Sequence, residues 1–238
     1  MTQYSFSAQL HKQILTQLLL LIGKNFKDKL SFKGGTCAYL FYNLPRLSLD
    51  LDFDILEHWS TEDLENLKTV IEKCCKVKDF YEKRFTIFFL LDYQLGAPNI
   101  KLELNKRVWQ NNHYQDIWFL GVKMKIVDQE TLLTNKIVAL TDRKQTVSRD
   151  LFDVYYFLKM GFNLNPLLIE ERTGKSIQEY LKLLPGFIEK HYTAKNILQG
   201  LGEVLDNEQK QWVKNDLIKE VIDEIQKIKM RWLQNSFS

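Results

Sequence analysis

Three aspartates alternate with apolar residues in the run Ser48-Leu49-Asp50-Leu51-Asp52-Phe53-Asp54. Successive side chains of a β-strand point to opposite faces, so this spacing predicts that the carboxylates and Ser48 share one face. The α-carbons of Asp50 and Asp52 would lie about 6.6 Å apart, and two carboxylates so placed repel each other unless a cation is present. Mg²⁺ or Mn²⁺ takes such oxygen ligands together with water and phosphate oxygens. The predicted chemistry is therefore metal-dependent phosphoryl or nucleotidyl transfer.

A pair of glycines precedes this acidic segment. Residues 30–33 are predicted as a short strand, Gly34 and Gly35 as a turn, and residues 36–42 as a helix that ends before Pro45. Glycines let backbone amides approach a ligand closely, and a helix N-terminus favours negative charge, so the turn could hold a triphosphate. The acidic run by itself fits a solvated edge strand about as well. The glycine pair, one helix earlier, favours the metal and nucleotide hypothesis.

A second alternating segment, residues 100–104, supplies another acidic candidate. Its apolar residues would share one face, and Lys101 and Glu103 would share the other. If this strand lies beside the acidic strand, Glu103 becomes a third carboxylate that completes a two-metal site or acts as general base. The alternative is that Lys101 and Glu103 form an ordinary exposed pair.

Cationic and acidic residues follow on two predicted helices. Lys136 and Arg143 are two turns apart on a helix over residues 130–144, so both could reach a triphosphate from one face, although such a face is usually solvated. Ser148 is predicted to cap the next helix. Asp150 and Asp153 fall in its first turn, where the helix dipole favours acidic residues whatever the function.

Together these residues resemble the nucleotidyltransferase superfamily, in which a glycine pair, a helix and a strand with Asp-x-Asp follow one another. More closely, Lys33-Gly34-Gly35-Thr36 with Arg46-x-Ser48-x-Asp50-Leu51-Asp52-Phe53 is similar to the AbiEii/AbiGii toxin family of type IV toxin–antitoxin and abortive-infection systems. The similarity spans residues 30–158 and extends to Lys101-Leu102-Glu103-Leu104, to Lys136 through Arg143, and to Asp150-Leu151-Phe152-Asp153.

The resemblance implies a set of site residues. The metal would be held by Asp50, Asp52 and Glu103. The nucleotide would be bound by Lys33, Gly34, Gly35, Thr36, Arg46, Ser48 and Arg143. Catalysis would depend on Asp50, Asp52, Glu103, Lys136 and Asp153. In addition, Arg46 would steady the acidic cluster, and Asp150 would orient Arg149 or Lys136.

The resemblance also implies a reaction and its partners. An acceptor hydroxyl would attack the α-phosphate of a nucleoside triphosphate and release pyrophosphate. The expected acceptor is the 3′ end of a tRNA, and the expected protein partner is a cognate antitoxin. Two alternatives remain open at this point: nucleotidylation of a protein hydroxyl by the same site, and a catalytically silent RNA- or protein-binding module whose charged residues form an ion-pair network.

Length and composition fit a globular enzyme. The chain has 238 residues, of which 45% are hydrophobic and 26% charged, enough for a full core in one large or two small domains. The expected class is α/β (α+β): a nucleotidyltransferase palm over residues 1–127, with a small mixed sheet flanked by helices, and a helical domain over residues 128–238. The active site is expected in the cleft between them. A long amphipathic helix is predicted over residues 206–233.

Charge and cysteine usage limit the partners and the cellular compartment that are expected for the protein. The net charge of +3 is too small to require a nucleic-acid partner. Three cysteines, two of them adjacent and none with zinc-site spacing, indicate reduced thiols in the cytoplasm. The apolar run at residues 18–22 is too short to cross a bilayer, so no membrane association is expected. The four histidines are scattered, and no chemistry is assigned to them.

Overall fold

The computed structural model describes residues 8–201 and 205–235, and within them the chain is a mixed α/β protein. The strands are β1 (Leu30–Lys33), β2 (Leu51–Ile55), β3 (Lys76–Glu82), β4 (Thr86–Asp92), β5 (Ile100–Asn105), β6 (Tyr114–Phe119) and β7 (Val122–Val127). The helices are α1 (Ala8–Phe26), α2 (Gly34–Phe41), α3 (Thr61–Ile71), α4 (Gln129–Asp142), α5 (Ser148–Lys159), α6 (Pro166–Thr173), α7 (Ile177–His191), α8 (Asn207–Asn215) and α9 (Leu217–Asn235). The predicted fold class is confirmed.

The chain divides into two compact units. Unit 1 contains the described residues up to Asn43 together with Ser48–Val108 and Tyr114–Asp128, and so holds every strand of the described chain and α1 to α3. Unit 2 contains Leu44–Leu47, Trp109–His113 and the described residues from Gln129 onward, and so holds α4 to α9. Two short segments from the N-terminal half therefore belong to the helical unit.

The seven strands of unit 1 form one mixed sheet in the order β3-β4-β5-β2-β1-β7-β6. The pairs β2/β5 and β1/β7 are parallel, and the other neighbouring pairs are antiparallel. The acidic strand β2 is thus paired on both sides, by β1 and by β5. Because β2 is an interior strand of the sheet, the alternative in which the aspartates lie on a solvated edge strand is excluded.

Alternating burial in β4 and β5 supplies much of the sheet's contribution to the core. Their inward side chains are fully buried at Ile87, Phe89, Leu91, Ile100, Leu102 and Leu104. The outward residues Lys101 and Glu103 of β5 are exposed, as the period of two predicts. In β2 the same period buries Leu51 and Phe53, which leaves Asp52 on the opposite face.

Unit 2 is built from helices, and one of its predicted elements is wrong. The single helix expected over residues 206–233 is two helices, α8 and α9, separated at Asp216, whose φ is −125°. Asn215 and Asp216 are weak helix formers in a helix interior because their side chains compete for backbone hydrogen bonds. Val213 and Leu217, on either side of the break, are both buried in the unit's core.

None of the helices in the described ranges combines the length and the apolar character that a membrane span requires.

Candidate functional site

The start of α2 lies directly against the acidic strand. β1 ends at Lys33, which pairs with Asp52 in the antiparallel register of β1 and β2. Gly34 follows with φ of +77°, in the left-handed region that favours glycine. A Cβ on Gly34 would lie 2.1 Å from Oδ2 of Asp52, closer than any two such atoms can approach. The glycine turn and the second aspartate of Asp-x-Asp are therefore in contact distance, as the nucleotide hypothesis requires.

The first turn of α2 presents backbone amides that its N-cap side chain does not satisfy. Lys33 occupies the N-cap position and makes no side-chain capping bond, while Gly35 and Thr36 are buried in the first turn. The hydroxyl of Thr36 donates to the backbone carbonyl of Asp50, so it ties the helix start to the acidic segment. A helix beginning of this kind favours an anion such as a phosphate group.

The predicted metal ligands lie on and beside β2. Asp50 immediately precedes the strand, Asp52 lies within it, and both side chains are half-buried. Parallel pairing of β2 with β5 places Glu103 next to Asp52, and Glu103 is exposed. Nζ of Lys101 lies 4.0 Å from Oδ2 of Asp50, at the limit of an ion pair. Ser48 is buried in the segment that leads into Asp50.

Asp54, the third aspartate of the run, is buried and accepts hydrogen bonds from protein side chains. Its side chain is 2% exposed and accepts from Nζ of Lys33 at 2.5 Å, from the hydroxyl of Tyr114 at 3.0 Å and from Nδ2 of Asn105 at 3.3 Å. A buried carboxylate with three donors is satisfied without a metal ion. The ammonium of Lys33, expected at the nucleotide, is therefore held by Asp54.

A buried histidine that sequence reasoning left without a role supports the acidic segment. Nε2 of His11 lies 3.2 Å from the carbonyl oxygen of Leu49, and Nδ1 lies 2.7 Å from the hydroxyl of Tyr93. Because a carbonyl only accepts, Nε2 carries the proton in the neutral ring and Tyr93 donates to Nδ1. Burial lowers the pKa of His11, against the opposing effects of the Leu49 carbonyl and Asp50. His11 thus fixes the backbone just before Asp50.

The carboxylates on and beside β2 fit a hard divalent cation, but the number of them that can bind one ion is limited. Within the described residues no group of three or more His, Cys, Asp or Glu side chains is placed to hold a metal ion, so Glu103 does not complete a three-ligand set with Asp50 and Asp52. Mg²⁺ does not need one, because it is commonly held by one or two carboxylates with water and substrate phosphates completing its shell. Asp50 and Asp52 are the two carboxylates that suit it.

The remaining candidate residues form a charged cluster in unit 2, which we call the unit 2 ion cluster: Arg46, Lys136, Arg143, Asp150 and Asp153. Nε and an NH2 nitrogen of Arg46 donate to the two oxygens of Asp153, each at 2.6 Å. Nζ of Lys136 lies 2.8 Å from Oδ1 of Asp150 and 2.9 Å from Oδ2 of Asp153. Nε of Arg143 lies 2.9 Å from Oδ2 of Asp150.

Electrostatics keep the unit 2 ion cluster charged although it is buried. Burial alone would raise the pKa of Asp153, but Lys136 and Arg46 outweigh it and lower that pKa. Burial alone would lower the pKa of Lys136, but Asp150 and Asp153 outweigh it and raise that pKa. Three cations thus face two carboxylates, which leaves one positive charge in excess. Arg143, with 49% of its side chain exposed, is the member most open to an anion.

The geometry separates positioning residues from residues that can touch a substrate. Asp153 is wholly buried with both oxygens occupied, so in this arrangement it positions Arg46 and Lys136. Arg46, expected to steady the acidic strand, contacts Asp153 instead. Asp150 orients Lys136 and Arg143, whereas Arg149 lies near Gly200.

Ser148 is not the N-cap of α5. Val147 occupies that position, and Ser148 is the first helical residue. The buried hydroxyl of Ser148 donates to the carbonyl of Asn196 at 3.0 Å. A tertiary partner therefore satisfies the hydroxyl that the sequence pattern assigned to capping.

Comparison with known proteins adds the context that geometry alone does not give. A family model described as "Nucleotidyl transferase AbiEii toxin, Type IV TA system" matches residues 19–214. No curated protein sequence gives a significant match.

Two solved structures share the fold across nearly the whole chain. JHP933 from Helicobacter pylori is 22% identical, with a TM-score of 0.63, and the alignment covers 98% of this chain and 97% of that one. A Helicobacter pylori protein described as a candidate nucleotidyltransferase is also 22% identical, with a TM-score of 0.62 and coverage of 96% and 98%. At this level of identity the likeness establishes a common fold.

Proposed function

Because the chain belongs to the AbiEii family of nucleotidyl transferase toxins in type IV toxin–antitoxin systems, we propose that it transfers a nucleoside monophosphate from a nucleoside triphosphate to the 3′ end of a tRNA. The acceptor hydroxyl attacks the α-phosphorus, a new P–O bond forms, and the bond to pyrophosphate breaks. The observation that carries this proposal is the contact of the Gly34 turn with Asp52, because it joins a phosphate-binding backbone to a carboxylate.

The triphosphate would be gripped by the first turn of α2. Gly34, Gly35 and Thr36 form the first turn of the helix. Their backbone amides and the helix dipole would both favour a bound phosphate. Thr36 contributes its backbone amide, because its hydroxyl is engaged by the Asp50 carbonyl. Ser48, in the segment leading to Asp50, completes this set of proposed nucleotide contacts.

Asp50 and Asp52 would hold Mg²⁺ or Mn²⁺, which when bound supplies Lewis-acid stabilisation of charge on the phosphate oxygens. Glu103, exposed and next to Asp52, would accept the proton of the attacking hydroxyl on its carboxylate. Glu103 would act as general base and not as a third metal ligand, because no three-carboxylate set is present in the described residues.

The unit 2 ion cluster would stabilise the negative charge that develops during transfer. Arg143 can give forked hydrogen bonds to phosphate oxygens, and Lys136 contributes a fixed point charge. Both are oriented by Asp150, and Lys136 also by Asp153. Charges held in place before the reaction stabilise a transition state without the cost of reorganisation.

The biological setting follows from the same proposal. The protein would inhibit growth by modifying tRNA in the cytoplasm, and an antitoxin encoded with it would restrain it. Bacterial growth after induction of the chain, with and without its neighbouring gene product, measures this directly.

One experiment separates the proposed acceptor from its rival. The purified protein is incubated with each α-labelled nucleoside triphosphate, Mg²⁺, total RNA and cell extract, and the products are resolved by size and by nuclease or protease treatment. Label in tRNA that nuclease removes supports the proposal. Label in protein would replace tRNA by a protein hydroxyl, and no label with any triphosphate would contradict nucleotidyl transfer altogether.

A further inference from the structure

The adjacent cysteines Cys74 and Cys75 lie outside the proposed active site and line an open cavity of about 780 Å³ in unit 1. They follow α3 and directly precede β3, one of the two edge strands of the described sheet. Cys74 is half-buried, Cys75 is buried, and their sulfur atoms are 3.9 Å apart. Two thiols are therefore held together at a wall that solvent reaches.

We propose that Cys74 and Cys75 form a redox-modification site, in which a hydroperoxide oxidises Cys74 and Cys75 then closes a vicinal disulfide. Susceptible cysteines are accessible, have thiolate character and lie next to a resolving thiol. Cys74 is half-buried at the cavity wall, and the Cys75 thiol lies beside it. The proposal concerns a site separate from nucleotidyl transfer and does not depend on it.

The geometry assigns a different role to each sulfur. Sγ of Cys75 donates to Sγ of Cys74, and this bond lowers the pKa of Cys74 and raises that of Cys75, with burial raising both. Lys73 and Lys76 line the same cavity together with Glu72 and Asp92, so the charges around the pair balance and the bond from Cys75 is what favours the Cys74 thiolate. In the protonated state the Cys74 thiol lies 3.7 Å from the Ile71 carbonyl. Cys74 is thus the attacking thiol and Cys75 the resolving one.

The chemistry balances with the peroxide as sole oxidant. The Cys74 thiolate attacks a peroxide oxygen, the O–O bond breaks, and hydroxide leaves as Cys74 becomes a sulfenic acid. The Cys75 sulfur then attacks the sulfenyl sulfur, an S–S bond forms, and the S–OH group departs as water with the proton from Cys75. Two thiols and one hydrogen peroxide give one disulfide and two waters.

A vicinal disulfide joins α-carbons only about 3.8 Å apart, which is shorter than the usual range of about 4.4–6.8 Å for bridged cysteines. Such strain makes the bond easier to reduce. The modification should therefore be reversible by an ordinary dithiol, unlike the bridge of a structural disulfide.

The chain carries its own control in Cys37. This thiol is fully buried in α2, and burial, with a smaller effect of Asp52, raises its pKa well above the ordinary value. Peroxide reacts preferentially with thiols that are accessible and have thiolate character, so it should leave Cys37 unchanged. Any general loss of thiols would instead include it.

The test counts free thiols in the full-length protein. Reduced protein is treated with hydrogen peroxide, quenched, unfolded, alkylated with N-ethylmaleimide and weighed by intact mass spectrometry. The three adducts of the reduced chain should fall to one, with the protein still monomeric on a non-reducing gel, and dithiothreitol should restore all three. In Cys37→Ser the two remaining adducts should both disappear, and in Cys75→Ser the oxidised Cys74 should be trapped by dimedone.

Three results would overturn the proposal. They are retention of all three thiols in the wild type, loss of thiols only through dimers between chains, and an unchanged loss in Cys74→Ser. Circular dichroism of each variant establishes that it is folded. Because thiol counting requires no nucleotide, these outcomes are independent of the labelling experiment above.

Discussion

Gly34 leaves no room for a side chain between its backbone and the carboxylate of Asp52, since a Cβ there would lie 2.1 Å from Oδ2. The two residues are 18 positions apart in the sequence, and the β1/β2 register brings them together. The glycine is thus needed for two reasons, a positive φ and a close approach, and the two can be separated by experiment.

The first prediction concerns Gly34→Ala. The added methyl must displace Asp52, so nucleotidyl transfer should fall at least about 100-fold. Separately, the positive φ imposes a strain of about 1–2 kcal/mol on alanine, which lowers stability. Gly121→Ala is the matched control, because Gly121 has φ of +81° and, among the described residues other than its chain neighbours, no atom lies within 4 Å of its Cβ position. In urea unfolding the control should lose only the stability that the positive φ costs, about 1–2 kcal/mol, and it should keep its activity. Equal activity in both variants would refute the role of the close approach.

The second prediction separates two neighbouring aspartates. Asp52→Asn should lower transfer by about 100-fold or more, because a neutral amide holds a divalent cation poorly. Asp54→Asn should destabilise the protein by about 1–3 kcal/mol, because Lys33 loses its charged partner. Chemical denaturation and labelled transfer, measured on both variants, check this. A stable, active Asp52→Asn protein would remove the metal hypothesis.

The third prediction concerns the unit 2 ion cluster. Asp153→Ala removes the partner of two buried cations and should cost about 3–5 kcal/mol of stability. Arg143→Ala should cost less than about 1 kcal/mol, since its side chain is half exposed, yet should lower transfer at least about tenfold through lost phosphate contacts. Denaturation midpoints and the dependence of rate on triphosphate concentration test both. Full activity in Arg143→Ala would assign the cluster a purely structural role.

The fourth prediction is a pH dependence that originates at His11. Burial lowers its pKa in the folded protein below the ordinary 6.5, so near and below that pH the unfolded chain binds more protons than the native one. Stability from the neutral ring is complete above pH 6.5 and is lost as pH falls toward the folded pKa. Urea unfolding at several pH values should show this loss in the wild type and a smaller loss in His11→Gln. His58→Gln, at an exposed position, should behave like the wild type.

Much of the acidic site was predictable because its signals are local. The glycine pair, the Asp-x-Asp alternation and the alternating pattern of β5 each lie within a few residues, and short-range periodicity determines which side chains share a face. The neighbouring position of β5 and β2, on which the role of Glu103 depends, was stated only as a condition, and the register now meets it.

Other features lack a local signal. The outer strands β3 and β6 are exposed over much of their length, so no apolar alternation marks them. The donors to Asp54 come from three strands, β1, β5 and β6, and Tyr114 is 60 residues away from it in the chain. His11 offered one usable sign: it occupies the apolar stripe of α1, four residues before the buried Leu15. A polar ring at such a position needs a buried partner.

Arg46 and Asp153, 107 positions apart, belong to the same unit because Leu44–Leu47 is part of unit 2. A protein cut after residue 128 would leave the guanidinium on one fragment and its carboxylate on the other. Neither piece expressed by itself would be electrostatically complete, so the chain is a poor candidate for dissection into autonomous halves. The same interleaving means that, on the ribosome, the residues around Arg46 must wait for more than a hundred later ones before their native environment exists.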